Sequence, residues 1–192
     1  MLKAEAVSRG AVLPININTT TFPGGEVHVA IEDRFADHTP HLVRITAHLR
    51  SPADQMALFM LTDAIRRAYR VPIHLDMPYV PYARQDRVCN PGEALAAKVF
   101  CQMINAQSYE SVTIFDPHSD VVPALLDRVV VKDASAAIGT VLGRPEFADG
   151  VTFIAPDAGA QKRVLKLAKR FGVESVVCAD KVRNTKTGEI LG

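Results

Sequence analysis

Apolar residues gather in short runs at positions 3–8, 26–31, 42–48, 73–77, 111–115, 151–155 and 175–179, each too brief for a helix and rich in Val, Ile, Leu or Ala. Between them the spacing becomes helical. Ser51 is placed as an N-cap with Pro52 at the first helical position, and Ala53, Met56, Ala57, Met60, Ala64 and Ala68 then fall on one side as far as about Tyr69. A second helix is predicted at 93–106, with Leu95, Val99 and Met103 at steps of four. A third, at 160–171, turns Val164, Leu167, Ala168 and Phe171 inward and ends at Gly172, a left-handed cap. A weaker helix is expected at 134–142, ahead of a turn-rich segment at 143–150.

Strands that alternate with crossover helices predict an α/β fold with parallel sheets flanked by helices. The turn-rich segment is the expected boundary, giving a first domain at 1–144 and the start of a second at 145–192. Few strands follow Gly150, so the second domain is expected to be incomplete, with an open sheet edge. No internal repeat or low-complexity tract is visible.

Composition narrows the function. An apolar content of 48% over 192 residues fills a sizeable core, and 22 basic residues against 21 acidic ones give no overall field to attract nucleic acid or a membrane surface. Any anion site must therefore be local. Cys89, Cys101 and Cys178 are widely spaced and odd in number, which suits structural or incidental thiols in a reducing compartment. No run of 18 apolar residues exists, and the cytoplasm is the expected location.

Polar chemistry collects where strands end or helices begin. PYARQDR at 81–87 places Arg84, Gln85, Asp86 and Arg87 directly after an apolar run, as an anion-facing loop or a solvated one. Asp116 and His118 follow the run ending at Phe115; they either hold Mg²⁺ or leave His118 as a helix-capping or solvent-titrating group. PDAGAQKR at 156–163 is a strand-to-helix turn whose Lys162 and Arg163 oppose the helix dipole, reading as a phosphate site or a plain surface turn. Lys181 and Arg183 lie in a basic loop that is either a linker or a lid over a migrating phosphoryl group. Phe22 to Glu26, FPGGE, reads as a hairpin turn, with Phe22 able to stack on a base and Glu26 able to meet a purine amino group.

FPGGE, PYARQDR, DPH, PDAGAQKR and DKVR, in that order along most of the chain, resemble the ribose-phosphate pyrophosphokinase family. The resemblance implies a phosphoribosyltransferase-like fold of two similar domains. It further implies Mg²⁺-dependent transfer of the diphosphoryl group of ATP to ribose 5-phosphate. In that pattern Arg84, Gln85 and Asp86 hold ATP, and Phe22 and Glu26 reach the adenine of a neighbouring subunit. Asp116 and His118, with Asp127 as a further candidate, sit at the metal, Asp157 lies beside the ribose, and Lys181 and Arg183 with His118 serve the transfer. A homo-oligomer, a hexamer in the family, is implied, with no nucleic-acid or membrane partner.

The chain departs from the family pattern at Gly24, where an Asp is usual, and at 88–92, which lacks the customary charges. It also ends ahead of the family's acidic phosphoribosyl-binding motif, so the expectation is the front part of a longer enzyme. Two other functions remain open: a non-catalytic regulatory subunit that assembles with active synthetases, and a transferase that consumes the diphosphate product.

Overall fold

The computed structural model describes residues 1–32 and 40–179. Its elements run β1 (Leu2–Ser8), β2 (Ala11–Ile15), β3 (Ile17–Thr21), β4 (Val27–Ile31), β5 (Leu42–Ala47), α1 (Pro52–Tyr69), β6 (Ile73–Met77) and α2 (Ala96–Ala106). They continue with β7 (Ser111–Phe115), α3 (Val121–Leu125), β8 (Val129–Lys132), α4 (Ser135–Leu142), β9 (Thr152–Ala155), α5 (Ala158–Phe171) and β10 (Ser175–Cys178). The fold is α/β. The chain divides into two compact units, Met1–Asp133 and Ala134–Gly192, the division falling ahead of α4.

The first unit is built on a six-stranded sheet of order β2-β1-β5-β6-β7-β8. Strands β5 to β8 are parallel neighbours, while β1 runs antiparallel to both β2 and β5. Each step from β5 to β8 moves one place in the same direction, and right-handed crossovers therefore put α1, α2 and α3 on one face. That face is apolar: Val43, Ile45 and Ala47 of β5, Ile73, Leu75 and Met77 of β6, and Val112 and Ile114 of β7 join one core with the helices. The intervening residues, including Arg44, Thr46, His74, Asp76, Ser111 and Thr113, form the opposite face and remain half-buried or exposed. A groove of about 450 Å³ crosses it between Arg44 and Lys132.

Helix α1 starts where its caps dictate. Ser51 Oγ accepts from the Asp54 amide at 3.1 Å, and Asp54 Oδ2 accepts from the Arg50 and Ser51 amides at 2.8 and 3.0 Å. The Arg50 amide, followed by the Ser51 bonds, holds the Asp54 carboxyl below its ordinary range against the opposing effect of burial. Inside the helix, Thr62 Oγ1 donates to the Leu58 carbonyl at 2.8 Å and lies 2.7 Å from the Tyr109 hydroxyl, so the polar atoms of two buried residues are satisfied.

The buried faces of α1 and α2 differ from those expected. On α1 the core takes Ala57, Leu58, Leu61, Thr62 and Ile65, while Met56 and Met60 are 43% and 42% exposed. On α2 the inward row is Ala97, Phe100, Cys101 and Ile104, with Val99 and Met103 turned out. In both cases a neighbouring apolar row with bulkier or branched side chains wins the core, and the expected row lies about one residue around the helix. Helix α2 also begins at Ala96 rather than 93, because Glu93 accepts from the Cys89 and Asn90 amides and from Asn90 Nδ2, closing a turn instead. The Asn90 side chain, then those amides, draws the Glu93 carboxyl below its ordinary range.

Strands β2, β3 and β8 and the short α3 were not expected. Strand β2 contains Pro14, which the ladder tolerates because β2 is an edge strand. Strand β3, INTTT, has the polarity of a loop, yet pairs along its whole length with β4. Strand β8 is an edge strand of four residues.

In the second unit α5 connects the parallel pair β9 and β10. Asp157 Oδ1 caps α5 by accepting from the Ala160 amide at 2.9 Å, and Gly172 ends it at φ 67. Helix α4 meets α5 closely at Gly139, where an added Cβ would lie 3.2 Å from the Phe171 ring. On the sheet, Ile154 and Val177 are cross-strand partners, 63% and 51% exposed.

Candidate functional site

In a parallel sheet the carboxyl ends of the strands point together, and the loops that leave them converge. The loop after β6 carries PYARQDR, and the loop after β7 carries Asp116 to Asp120. These loops are bonded to each other: Ser119 Oγ donates to Asp86 Oδ2 at 2.6 Å, across 33 residues of sequence. Such a short contact to a carboxylate is a charge-assisted hydrogen bond, about twice as strong as a neutral one.

The loop after β6 is held by its backbone as well. The Gln85 amide donates to the Tyr82 carbonyl at 2.8 Å, and the Gln85 carbonyl accepts from the Ala97 amide of α2 at 3.2 Å. Tyr82 adopts a left-handed conformation at φ 62, and its half-buried ring packs against Phe100 with ring centres 5.8 Å apart. The chain is thus anchored from below while Arg84, Gln85 and Arg87 remain exposed and Asp86 is half-buried. Two guanidiniums on a fixed loop suit a polyanion.

Asp116 also sits left-handed, at φ 42, and its amide donates to the Lys132 carbonyl of β8 at 2.8 Å. A left-handed aspartate outside a helix is a strained conformation of the kind that gathers at functional sites. Asp116 is half-buried and His118 exposed. Among the described residues no three His, Cys, Asp or Glu side chains converge as a metal-binding group. The two carboxylates of this loop, Asp116 and Asp120, would fit a Mg²⁺ ion held largely by water better than a protein cage.

The remaining sequence-derived residues do not belong to these two loops. Asp127 precedes β8, at the amino end of the sheet, where its amide donates to Asn105 Oδ1 at 3.0 Å; it does not share the loop cluster with Asp116. Phe22 and Glu26 are at the tip of the β3–β4 hairpin, closed by the Phe22 amide to the Glu26 carbonyl at 2.9 Å and the Gly25 amide to the Phe22 carbonyl at 2.8 Å. Gly25 takes φ 88 there, and Phe22 is exposed with its ring 5.7 Å from that of His28. Asp157, in the second unit, is the half-buried cap of α5, followed by exposed Lys162 and Arg163. Lys181 and Arg183 lie outside the described residues. Ser119 is the residue that motif reading missed; nothing local marks a serine that bonds so far away in sequence.

Among the described residues no helix is long and apolar enough to cross a membrane. The chain is 26% identical over 191 residues to ribose-phosphate pyrophosphokinase of Campylobacter jejuni, covering 98% of this chain and 61% of that protein. With the ribose-phosphate pyrophosphokinase of Halalkalibacterium halodurans the identity is 30% over 155 residues, 80% of this chain and 48% of the relative. The chain thus spans about half to three-fifths of the length of these curated relatives. Its fold is similar to the crystal structure of phosphoribosylpyrophosphate synthetase from Mycobacterium smegmatis, with a TM-score of 0.70 at 20% identity over 93% of this chain and 59% of that one. Residues 2–107, which include β1 to β6, the PYARQDR loop and α2, match the N-terminal domain of ribose phosphate pyrophosphokinase, and the chain belongs to that family.

Proposed function

We propose that this chain supplies the nucleotide-binding part of a ribose-phosphate pyrophosphokinase, which converts ATP and ribose 5-phosphate to phosphoribosyl pyrophosphate and AMP in the cytoplasm. The observation that carries the reading is the bonded pair of loops at the carboxyl ends of β6 and β7, presenting Arg84, Gln85, Asp86 and Asp116 from one end of the sheet.

In this reading Arg84 and Gln85 bind the nucleotide, Arg84 by paired hydrogen bonds to phosphate oxygens. Asp116, with His118 beside it, would hold Mg²⁺, which when bound neutralises charge on the β- and γ-phosphates. Phe22 and Glu26 contact the adenine from a neighbouring subunit of a homo-oligomer. Asp157 orients the ribose. Lys181 and Arg183 stabilise the charge that develops around the β-phosphorus. The C1 hydroxyl oxygen attacks the β-phosphorus, the bond from that phosphorus to the α,β-bridging oxygen breaks, AMP departs carrying that oxygen, and the hydroxyl proton passes to water. Catalysis then comes from positioning and electrostatics without a covalent enzyme intermediate.

The test is AMP formation from ATP by the purified protein with and without ribose 5-phosphate, beside calorimetric titration with Mg²⁺ and a non-hydrolysable ATP analogue. AMP that appears only with ribose 5-phosphate, and nucleotide binding lost in Arg84→Ala, support the synthetase reading. Lys181→Ala or Arg183→Ala then lowers turnover by roughly 10²-fold with little change in nucleotide affinity. Nucleotide binding without AMP fits both a regulatory subunit and the nucleotide-binding part of a longer synthetase, which AMP formation by the full-length gene product separates; absence of both would overturn the reading.

A further inference from the structure

We infer that Ser119 is a positioning residue for the nucleotide site, acting through Asp86. The inference rests on the function proposed above and adds a residue that none of the recognised motifs assigns a role.

The argument starts from what holds Asp86. The Arg84–Arg87 segment is fixed on one side by the bond from the Ala97 amide to the Gln85 carbonyl, a tie to the start of α2. That bond restrains the backbone but leaves the Asp86 side chain free to rotate. The second restraint is the Ser119 hydroxyl, 2.6 Å from Asp86 Oδ2. Both side chains are half-buried, so water competes with this bond less than it would on an open surface. A carboxylate with one oxygen engaged has its rotation restricted, which limits the directions its other oxygen can take.

The position of Ser119 gives the bond a further consequence. It lies three residues after Asp116, whose left-handed backbone turns the chain out of β7, and the Val121 amide approaches its hydroxyl oxygen at 3.4 Å at the start of α3. One hydroxyl therefore joins the nucleotide loop to the loop that carries the candidate metal carboxylate. A ligand that must touch both loops, a nucleotide polyphosphate with its divalent cation, meets them already in register. Without the hydroxyl, the loops must be brought together at the expense of binding.

The experiment is a double-mutant cycle on Ser119 and Asp86, read by calorimetric affinity for Mg²⁺ with a non-hydrolysable ATP analogue. Ser119→Ala is expected to weaken binding about tenfold, and Ser119→Thr, which keeps the hydroxyl, to restore it to within about threefold. In an Asp86→Ala background, Ser119→Ala should have no further effect, because its partner is already gone. Thermal unfolding of each variant separates a folding defect from a positioning one, and rescue by threonine serves the same end. Equal affinity of Ser119→Ala and the unaltered protein would overturn the inference alone. So would a tenfold loss that persists in the Asp86→Ala background. Failure of the unaltered protein to bind the nucleotide would overturn both the inference and the function on which it rests.

Discussion

The two faces of the six-stranded sheet are made from alternate residues of the same strands. On β6, Ile73, Leu75 and Met77 point under the helices while His74 and Asp76 point away; on β7, Val112 and Ile114 are covered while Ser111 and Thr113 are not. Parallel sheets ordinarily carry apolar residues on both faces, because helices cover both. Here the face away from the helices carries groups that pair with one another: Arg44 lies 3.8 Å from Glu5 and 3.7 Å from Asp76, and His74 Nδ1 is 2.7 Å from Ser111 Oγ. Stability is thus concentrated on one side of the sheet, and the candidate chemistry on neither. It stands at the strand ends, where loops rather than packing set the geometry.

The sharpest challenge to this contrast is a pair of truncations. Leu75→Ala removes a side chain with 0% exposure from a central strand and should cost about 2–5 kcal/mol in denaturant unfolding. Thr113→Ala, on the neighbouring strand and the other face, should stay within about 0.5 kcal/mol. Comparable losses would abolish the distinction between the faces.

Alkaline titration probes the covered side from a different direction. Burial pushes the Tyr109 hydroxyl up to about 12 and the Cys101 thiol up to about 11, from ordinary values of 10.0 and 9.0. Because both are raised in the folded state, the stability they confer is whole below the ordinary values and is lost as pH climbs through the raised ones. For Tyr109 the loss amounts to about 2–3 kcal/mol between pH 10 and 12. Stability measured against pH should fall in that window, and Tyr109→Phe should flatten the fall.

The smallest effect is expected on the open face. Both Arg44 pairs are long and about half-exposed, so Arg44→Ala should change stability by about 1 kcal/mol or less, and the change should shrink further with added salt. A loss of several kcal/mol would mean that this face contributes more to the fold than its exposure implies.

Local chemistry that acts over a few residues was legible in the sequence. The Ser51 cap, the Pro52 start and the Gly172 stop follow from backbone needs that only certain side chains meet, and the structure has each of them. The inward faces of α1 and α2 were not, because two adjacent apolar rows compete on each helix and only the sheet beneath decides between them. Pro14 and the Asn and Thr residues of β3 hid two strands, since edge position and hairpin pairing are tertiary facts. The site follows the same division. PYARQDR and DPH announce themselves by composition, whereas the distance of Asp127 from Asp116 and the bond from Ser119 to Asp86 depend on how the strands are ordered.

The left-handed Tyr82 and Asp116 bear on any effort to make this protein more heat-tolerant. Residues with a Cβ are disfavoured in that conformation, so a random library screened only for survival at high temperature would tend to accumulate Gly at Asp116. Such variants would look like improvements on a melting curve. They would also slacken the turn that leads out of β7, so a campaign of this kind should score ligand binding alongside heat resistance from its first round.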